Sequence, residues 1–174
     1  LIISLVGLPG SGKTSVGRQL ARRLKLAFSD SDHVIEQRIG CAIREFFDRE
    51  GEERFRDIEQ EVIEELTLQP GTVLSTGGGA VLREANRAHL KSRGHVIYLK
   101  STPEELYRRL KHDVNRPLLQ VADPQERLRE LFAVRDPLYK ATAHFVLETG
   151  RPSVATLVNM IVMQLELAGV VTPN

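Results

Sequence analysis

One run of eight residues, Gly7-Leu8-Pro9-Gly10-Ser11-Gly12-Lys13-Thr14, has the residue types and spacing needed to hold a chain of phosphates. Glycines let a backbone wrap closely and turn its N–H groups toward phosphate oxygens. A helix that starts where such a loop ends adds unpaired donors and a partial positive charge. On this reading Gly10, Ser11, Gly12, Lys13, Thr14 and Ser15 bind a nucleotide's phosphates. Lys13 lies along the β- and γ-phosphates, and the Thr14 hydroxyl holds Mg²⁺. A chance match in a glycine-rich turn is the plain alternative. Context weighs against it, because an apolar run precedes the loop and a helical pattern follows it.

Asp30 and Asp32 are the next groups with chemistry to offer. Mg²⁺ keeps several waters and leans on one or two carboxylates. Phosphoryl transfer also needs an acceptor for the attacking hydroxyl. In an extended segment residues two apart point the same way, so both carboxylates can face one site. Asp32 equally suits the N-cap of the helical run after it, and the two roles are compatible. Gly77-Gly78-Gly79 makes a backbone that small groups can approach closely. Taken alone the triplet is a flexible turn; its place directly after an apolar strand favours a ligand.

Arg56, Arg109, Arg116 and Arg135 stand out among the cations. Most arginines are solvated surface, but two guanidinium forks can clamp a small carboxylate bidentately. Spacing does not say whether they converge. Arg56 sits beside Phe55 on the edge of an apolar helix face, and Glu59 is placed to pair with it. His33, His89, His95, His112 and His144 have no partner at metal-ligand or triad spacing and read as structural or exposed. Cys41 has no activating neighbour.

These residues need a scaffold, and the hydropathy pattern supplies one. Strand-like and helix-like stretches alternate, which predicts an α/β fold with a mainly parallel sheet. The first strand, residues 1–6, and a helix with Val16, Leu20 and Leu24 flank the loop. Residues 27–30 end a short second strand. Residues 32–39 are helical and closed by Gly40. Residues 42–48 form a short amphipathic piece, broken by Gly51. A longer helix carries Phe55, Ile58, Val62, Ile63 and Leu66 on one face. Residues 72–75 are a third strand, and a helix runs from about Glu84 to Gly94. Residues 95–99 are a fourth strand, and Pro103 opens the next helix. Residues 113–123 lack periodicity. Pro124 opens another helix, which Pro137 is expected to interrupt. Residues 144–148 are a fifth strand, followed by a helix with Val154, Leu157, Val158, Ile161, Val162 and Leu165. Doubly wound sheets of this kind gather ligands at the carboxyl ends of their strands.

Composition narrows the function classes. A chain of 174 residues suits one domain, 1–174, with a sizeable core. Hydrophobic residues make up 41% and charged residues 27%, an ordinary globular balance. Net charge is +1 with no block of like charge, so no nucleic-acid partner is expected. A single cysteine allows no internal disulfide. The N-terminal apolar run has six residues, too short for a membrane span or a signal-peptide core. The expectation is a soluble, cytoplasmic monomer with no membrane partner. The chain does not begin with Met, and a few leading residues are expected before Leu1.

Taken together, the loop motif, Ser29-Asp30-Ser31-Asp32, Phe55-Arg56-x-x-Glu59, Gly77-Gly78-Gly79-Ala80-Val81, Arg116-Pro117-Leu118-Leu119 and Arg135-x-Pro137-Leu138-Tyr139 resemble the shikimate kinase family. They stand in the family's order and cover nearly the whole chain. The resemblance implies a three-layer α/β/α P-loop kinase fold with a five-stranded parallel sheet in the order 2-3-1-4-5. It implies transfer of the ATP γ-phosphoryl to the 3-hydroxyl of shikimate, in the pathway to chorismate and the aromatic amino acids. By the same resemblance Asp30 holds Mg²⁺ through water, and Asp32 grips the shikimate hydroxyls and is a candidate base. Arg56, Arg135 and the backbone of Gly77, Gly78 and Gly79 bind the carboxylate and hydroxyls, in a shikimate-binding region of about 32–60 with its partners. Arg116 is the arginine of a lid at about 113–123, and Arg109 and Pro152 lie where the family holds adenine. Thr14-Ser15 stands where many members have Ser-Thr, and either hydroxyl can coordinate Mg²⁺. A kinase of the same fold for another polyol, such as gluconate, should lack the paired arginines and the triplet. A non-enzymatic effector domain should have lost Lys13, Asp30 or Arg116.

Overall fold

A computed structural model describes residues 1–111 and 121–173. Five strands form one sheet: β1 (Ile2–Val6), β2 (Ala27–Asp30), β3 (Thr72–Ser75), β4 (His95–Lys100) and β5 (Phe145–Glu148). Every pairing is parallel, and the spatial order is β2-β3-β1-β4-β5. The helices among the described residues are α1 (Lys13–Leu24), α2 (Ser31–Ile39), α3 (Ile43–Glu50), α4 (Glu52–Leu66), α5 (Glu84–Arg93), α6 (Pro103–Leu110), α7 (Pro124–Thr142) and α8 (Val154–Leu167).

Successive side chains on a strand enter opposite layers. Ile97 and Leu99 of β4 pack with α1 and α8, beside Ile3 and Leu5 of β1. Val96 and Tyr98 face the other way, with Leu106, Leu128 and Tyr139. Both faces of the central strands are therefore covered, which is why they read as unbroken apolar runs. The three-layer parallel architecture and strand order agree with the expectation from sequence.

One element departs from its expected course. Pro137 does not interrupt the helix; α7 runs through it to Thr142. A proline withholds one N–H, here the partner of the Ala133 carbonyl. Ala133 and Pro137 are both exposed, so water can serve that carbonyl. Meanwhile Leu128, Leu131 and Tyr139 hold the helix to the core on its other side. The continuous helix places Tyr139 one turn beyond Arg135 on the same face.

Candidate active site

The sheet order explains why residues far apart in sequence meet. β2, β3 and β1 are parallel neighbours, so their carboxyl ends lie side by side. Register places Asp30 opposite Ser75, and Ser75 opposite Leu5. The phosphate loop leaves β1, the glycine triplet leaves β3, and Asp30 ends β2 at one level. Between them is a cavity of about 320 Å³, lined by Lys13, Thr14, Ser15, Asp30, Asp32 and Gly77 among others. Pro9, Gly10, Gly12 and Gly78 also belong to its wall.

The loop is built to expose donors. Gly10 and Gly12 have φ values of 85° and 93°, a region that favours glycine. Gly12 is the N-cap of α1, where no side chain caps the helix and no acidic residue occupies the first turn. The leading N–H groups of α1 thus keep their affinity for an anion. Ser11 is buried, and its N–H donates to the Leu8 carbonyl at 3.1 Å. Lys13 Nζ donates to the Gly7 and Leu8 carbonyls at 2.7 and 3.0 Å, drawn along the loop it serves.

Asp30 works with both oxygens. Oδ2 accepts from the Thr14 hydroxyl at 3.3 Å. Oδ1 accepts from the backbone N–H of Asp32 at 2.9 Å and of His33 at 3.4 Å. Asp30, rather than Asp32, is therefore the N-cap of α2. Asp32 lies in the first helical turn, so the two carboxylates do not share an extended segment. They face one cavity because the chain turns from strand to helix between them. Relieved of capping, Asp32 has a carboxyl pushed up to about 6, chiefly by burial and then by the charges of Asp30 and Glu59, with Lys13 opposing.

Each glycine of the triplet makes room for a different group. A Cβ on Gly77 would meet the Asp32 carboxylate at 2.5 Å. One on Gly78 would meet Pro9 Cδ at 2.6 Å and Arg135 Nη1 at 3.3 Å, and one on Gly79 would strike the Arg56 guanidinium. The two arginines thus converge on the triplet, Arg56 from α4 and Arg135 from α7. Arg56 Nη1 donates to Glu59 Oε1 at 2.9 Å, and Glu59 is 1% exposed. Burial raises the Glu59 carboxyl while Arg56 pulls it down. An ion pair this deep orients a guanidinium more than it stabilises the fold.

Other expected residues lie elsewhere. Arg109 donates to the Thr149 carbonyl at 2.6 Å and the Gly10 carbonyl at 3.3 Å, joining the phosphate loop to the end of β5, with Pro152 just beyond. Arg116 and residues 113–120 of the expected lid are outside the described residues. Two contributors had no assigned role in the sequence reading. Ser31 is fully buried, and its Oγ accepts the Gly77 N–H at 3.1 Å. Tyr139 is fully buried and donates its hydroxyl proton to the Gly78 carbonyl at 2.5 Å. Both sit inside motifs quoted above, which was the available signal. His144, read as structural or exposed, accepts the Val96 N–H on Nδ1 at 2.9 Å.

Comparison with known proteins agrees with this geometry. The family described as shikimate kinase matches residues 9–166. A shikimate kinase of Paracidovorax citrulli is 61% identical over 177 residues, covering 100% of this chain and 97% of the relative. One of Ralstonia nicotianae is 59% identical over 171 residues, covering 98% of this chain and 90% of the relative. A solved shikimate kinase from Acinetobacter baumannii, in complex with shikimate, superposes with a TM-score of 0.90 at 46% identity, covering 97% of this chain and 93% of that one. With its phosphate loop, converging arginines and glycine triplet on a fold shared over nearly its whole length, the chain belongs to the shikimate kinase family.

Proposed function

We propose that this chain transfers the γ-phosphoryl of ATP to the 3-hydroxyl of shikimate, giving shikimate 3-phosphate and ADP on the route to chorismate. The observation that carries the reading is the convergence of Arg56 and Arg135 on a glycine triplet beside an uncapped phosphate loop. Two such forks call for an acceptor that carries a carboxylate. Family membership carries the same activity, an ATP-dependent phosphotransfer to an alcohol.

The α1 N-terminus and Lys13 hold the phosphates, where charge spreads during transfer. Arg56 and Arg135 grip the shikimate carboxylate, with Glu59 holding Arg56 in place. Asp32 accepts from the reacting hydroxyls; a carboxyl near 6 is mostly ionised at neutral pH yet basic enough to draw a proton. Arg109 and Pro152 flank the adenine end. Thr14 Oγ1 and Asp30 Oδ2, two hard oxygens 3.3 Å apart at the cavity wall, fit Mg²⁺ held partly by water. Among the described residues no cluster of His, Cys, Asp or Glu could hold a metal by itself, so the nucleotide is expected to share its coordination. When bound, Mg²⁺ neutralises charge on the β- and γ-phosphates.

We take residues 1–174 as one kinase domain, a cytoplasmic monomer with no nucleic-acid or membrane partner. No helix among the described residues is long and apolar enough to cross a membrane. Coupled measurement of ADP release, with shikimate, with gluconate and with neither, tests the reading. Release should require shikimate; release driven equally by gluconate would refute the assignment of the acceptor.

A further inference from the structure

The glycine triplet has an incomplete set of internal hydrogen bonds. The Gly77 carbonyl accepts from Ala80 N–H at 3.0 Å, and the Gly79 carbonyl from Leu82 N–H at 3.1 Å. Gly77 N–H is taken by Ser31. The Gly78 carbonyl has one partner among the described residues, the Tyr139 hydroxyl. No acceptor meets the N–H groups of Gly78 and Gly79 among the described residues.

The peptide between Gly78 and Gly79 is trans and planar, so its N–H points away from its C=O. By taking the carbonyl, Tyr139 turns the Gly79 N–H to the opposite side. Gly79 abuts the Arg56 guanidinium on the side a Cβ would occupy. The Arg135 guanidinium, which can only donate, lies against Gly78 one helical turn before Tyr139; burial opposes ionisation of the Tyr139 hydroxyl, and the charge of Arg135 eases it. Gly78 thus has the Tyr139 hydroxyl on its carbonyl and the Arg135 guanidinium beside its α-carbon. The ring beneath is held in turn: Tyr98 packs on it at 4.9 Å between centroids and donates to Asp136 Oδ1 at 2.8 Å. Asp136 also pairs with Lys140 at 3.2 Å.

We infer that Tyr139 is a positioning residue for the acceptor: its hydroxyl couples Arg135 to the Gly78–Gly79 peptide, so that guanidinium and backbone N–H present a matched set of donors to the shikimate carboxylate. The inference rests on the proposed function above. It assigns Tyr139 no contact with shikimate and no part in binding ATP.

Tyr139→Phe keeps the ring stack and removes only the hydroxyl. The KM for shikimate should rise about tenfold, the effect of mis-setting one to two hydrogen bonds, while the KM for ATP stays within about twofold. Placing 4-aminophenylalanine at position 139, which restores a donor, should return the shikimate KM toward that of the unmodified enzyme. A double variant with Arg135→Lys should lose less than the product of the single effects, since both act on one device. An unchanged shikimate KM, or equal rises for both substrates, would overturn the inference. So would a phenylalanine variant that fails to fold or to bind ATP, because the hydroxyl would then serve the fold at large. If the unmodified enzyme releases no ADP with shikimate, the assignment of function fails instead, and separate titration of shikimate binding still reads the role of Tyr139.

Discussion

Substituting Gly79 by Ala tests whether the triplet is small because Arg56 needs the space. A Cβ there would lie 2.5 Å from Arg56 Nη2 and 2.6 Å from Cζ. Ordinary contact begins at about 3.5 Å, so the guanidinium must withdraw by roughly 1 Å. Gly79 is not among the residues with positive φ, so the added methyl does not strain the backbone. The cost therefore falls on Arg56. Its fork is already engaged with Glu59 at 2.9 Å, and withdrawal must lengthen that pair or turn the fork off the carboxylate. A hydrogen bond to a charged group contributes about 1.5–3 kcal/mol, so losing one should raise the shikimate KM by about 10- to 150-fold. The KM for ATP should hold within about twofold, since the phosphate loop is untouched. Steady-state ADP release with each substrate varied in turn, beside a thermal melt, makes the measurement. A shikimate KM within about twofold of the unmodified value would refute the placement of Arg56 on the carboxylate.

Four further outcomes are expected, three from the same geometry and one from the sequence. The Asp32 carboxyl binds its proton more tightly folded than unfolded, about 6 against 3.8, so stability falls as pH rises through that interval. The ionised form then costs about 3 kcal/mol above it, and Asp32→Asn should raise Tm at pH about 8 but hardly at pH about 4, while turnover is lost; a pH-independent Tm change would contradict the cause. In the unmodified enzyme kcat/KM for shikimate should climb through pH about 6 as Asp32 ionises. Lys13→Met should abolish turnover with the fold intact by circular dichroism, and a near-normal rate would remove the phosphate loop from the mechanism. Arg116→Ala, resting on sequence alone, should lower kcat by about 10³-fold with much less change in ATP affinity; an unchanged kcat would leave residues 113–123 a connector.

Much of the site was legible because its chemistry is local. The phosphate loop needs only consecutive backbone N–H groups and a helix start, and both are written in contiguous residues. Strand and helix limits followed the hydropathy period closely: the third strand spans residues 72–75 as expected, and the helix expected at 32–39 begins one residue earlier. The pairing of Arg56 with Glu59 was readable for the same reason, since helical residues three apart are neighbours. Asp30 and Asp32 both line one cavity, but Asp30 caps α2 where the sequence pointed to Asp32. Either carboxylate can cap a helix, and where the strand stopped decided between them.

Only the tertiary structure decided what depends on distant segments. Pro137 marks a helix end by local rule, yet α7 passes through it, because its buried face holds it to the core and its freed carbonyl lies at the solvent side. That continuation brings Tyr139 under the glycine triplet and sets Arg135 against it. No spacing in the sequence relates Arg56, Arg135 and Gly78. Their meeting depends on β3 lying between β1 and β2, and on α4 and α7 packing in the layer that covers the same face of the sheet. Local residue patterns encode which groups can bind phosphate or carboxylate; the order of parallel strands determines which of them share a site, because side-by-side carboxyl ends are neighbours in space whatever their separation along the chain.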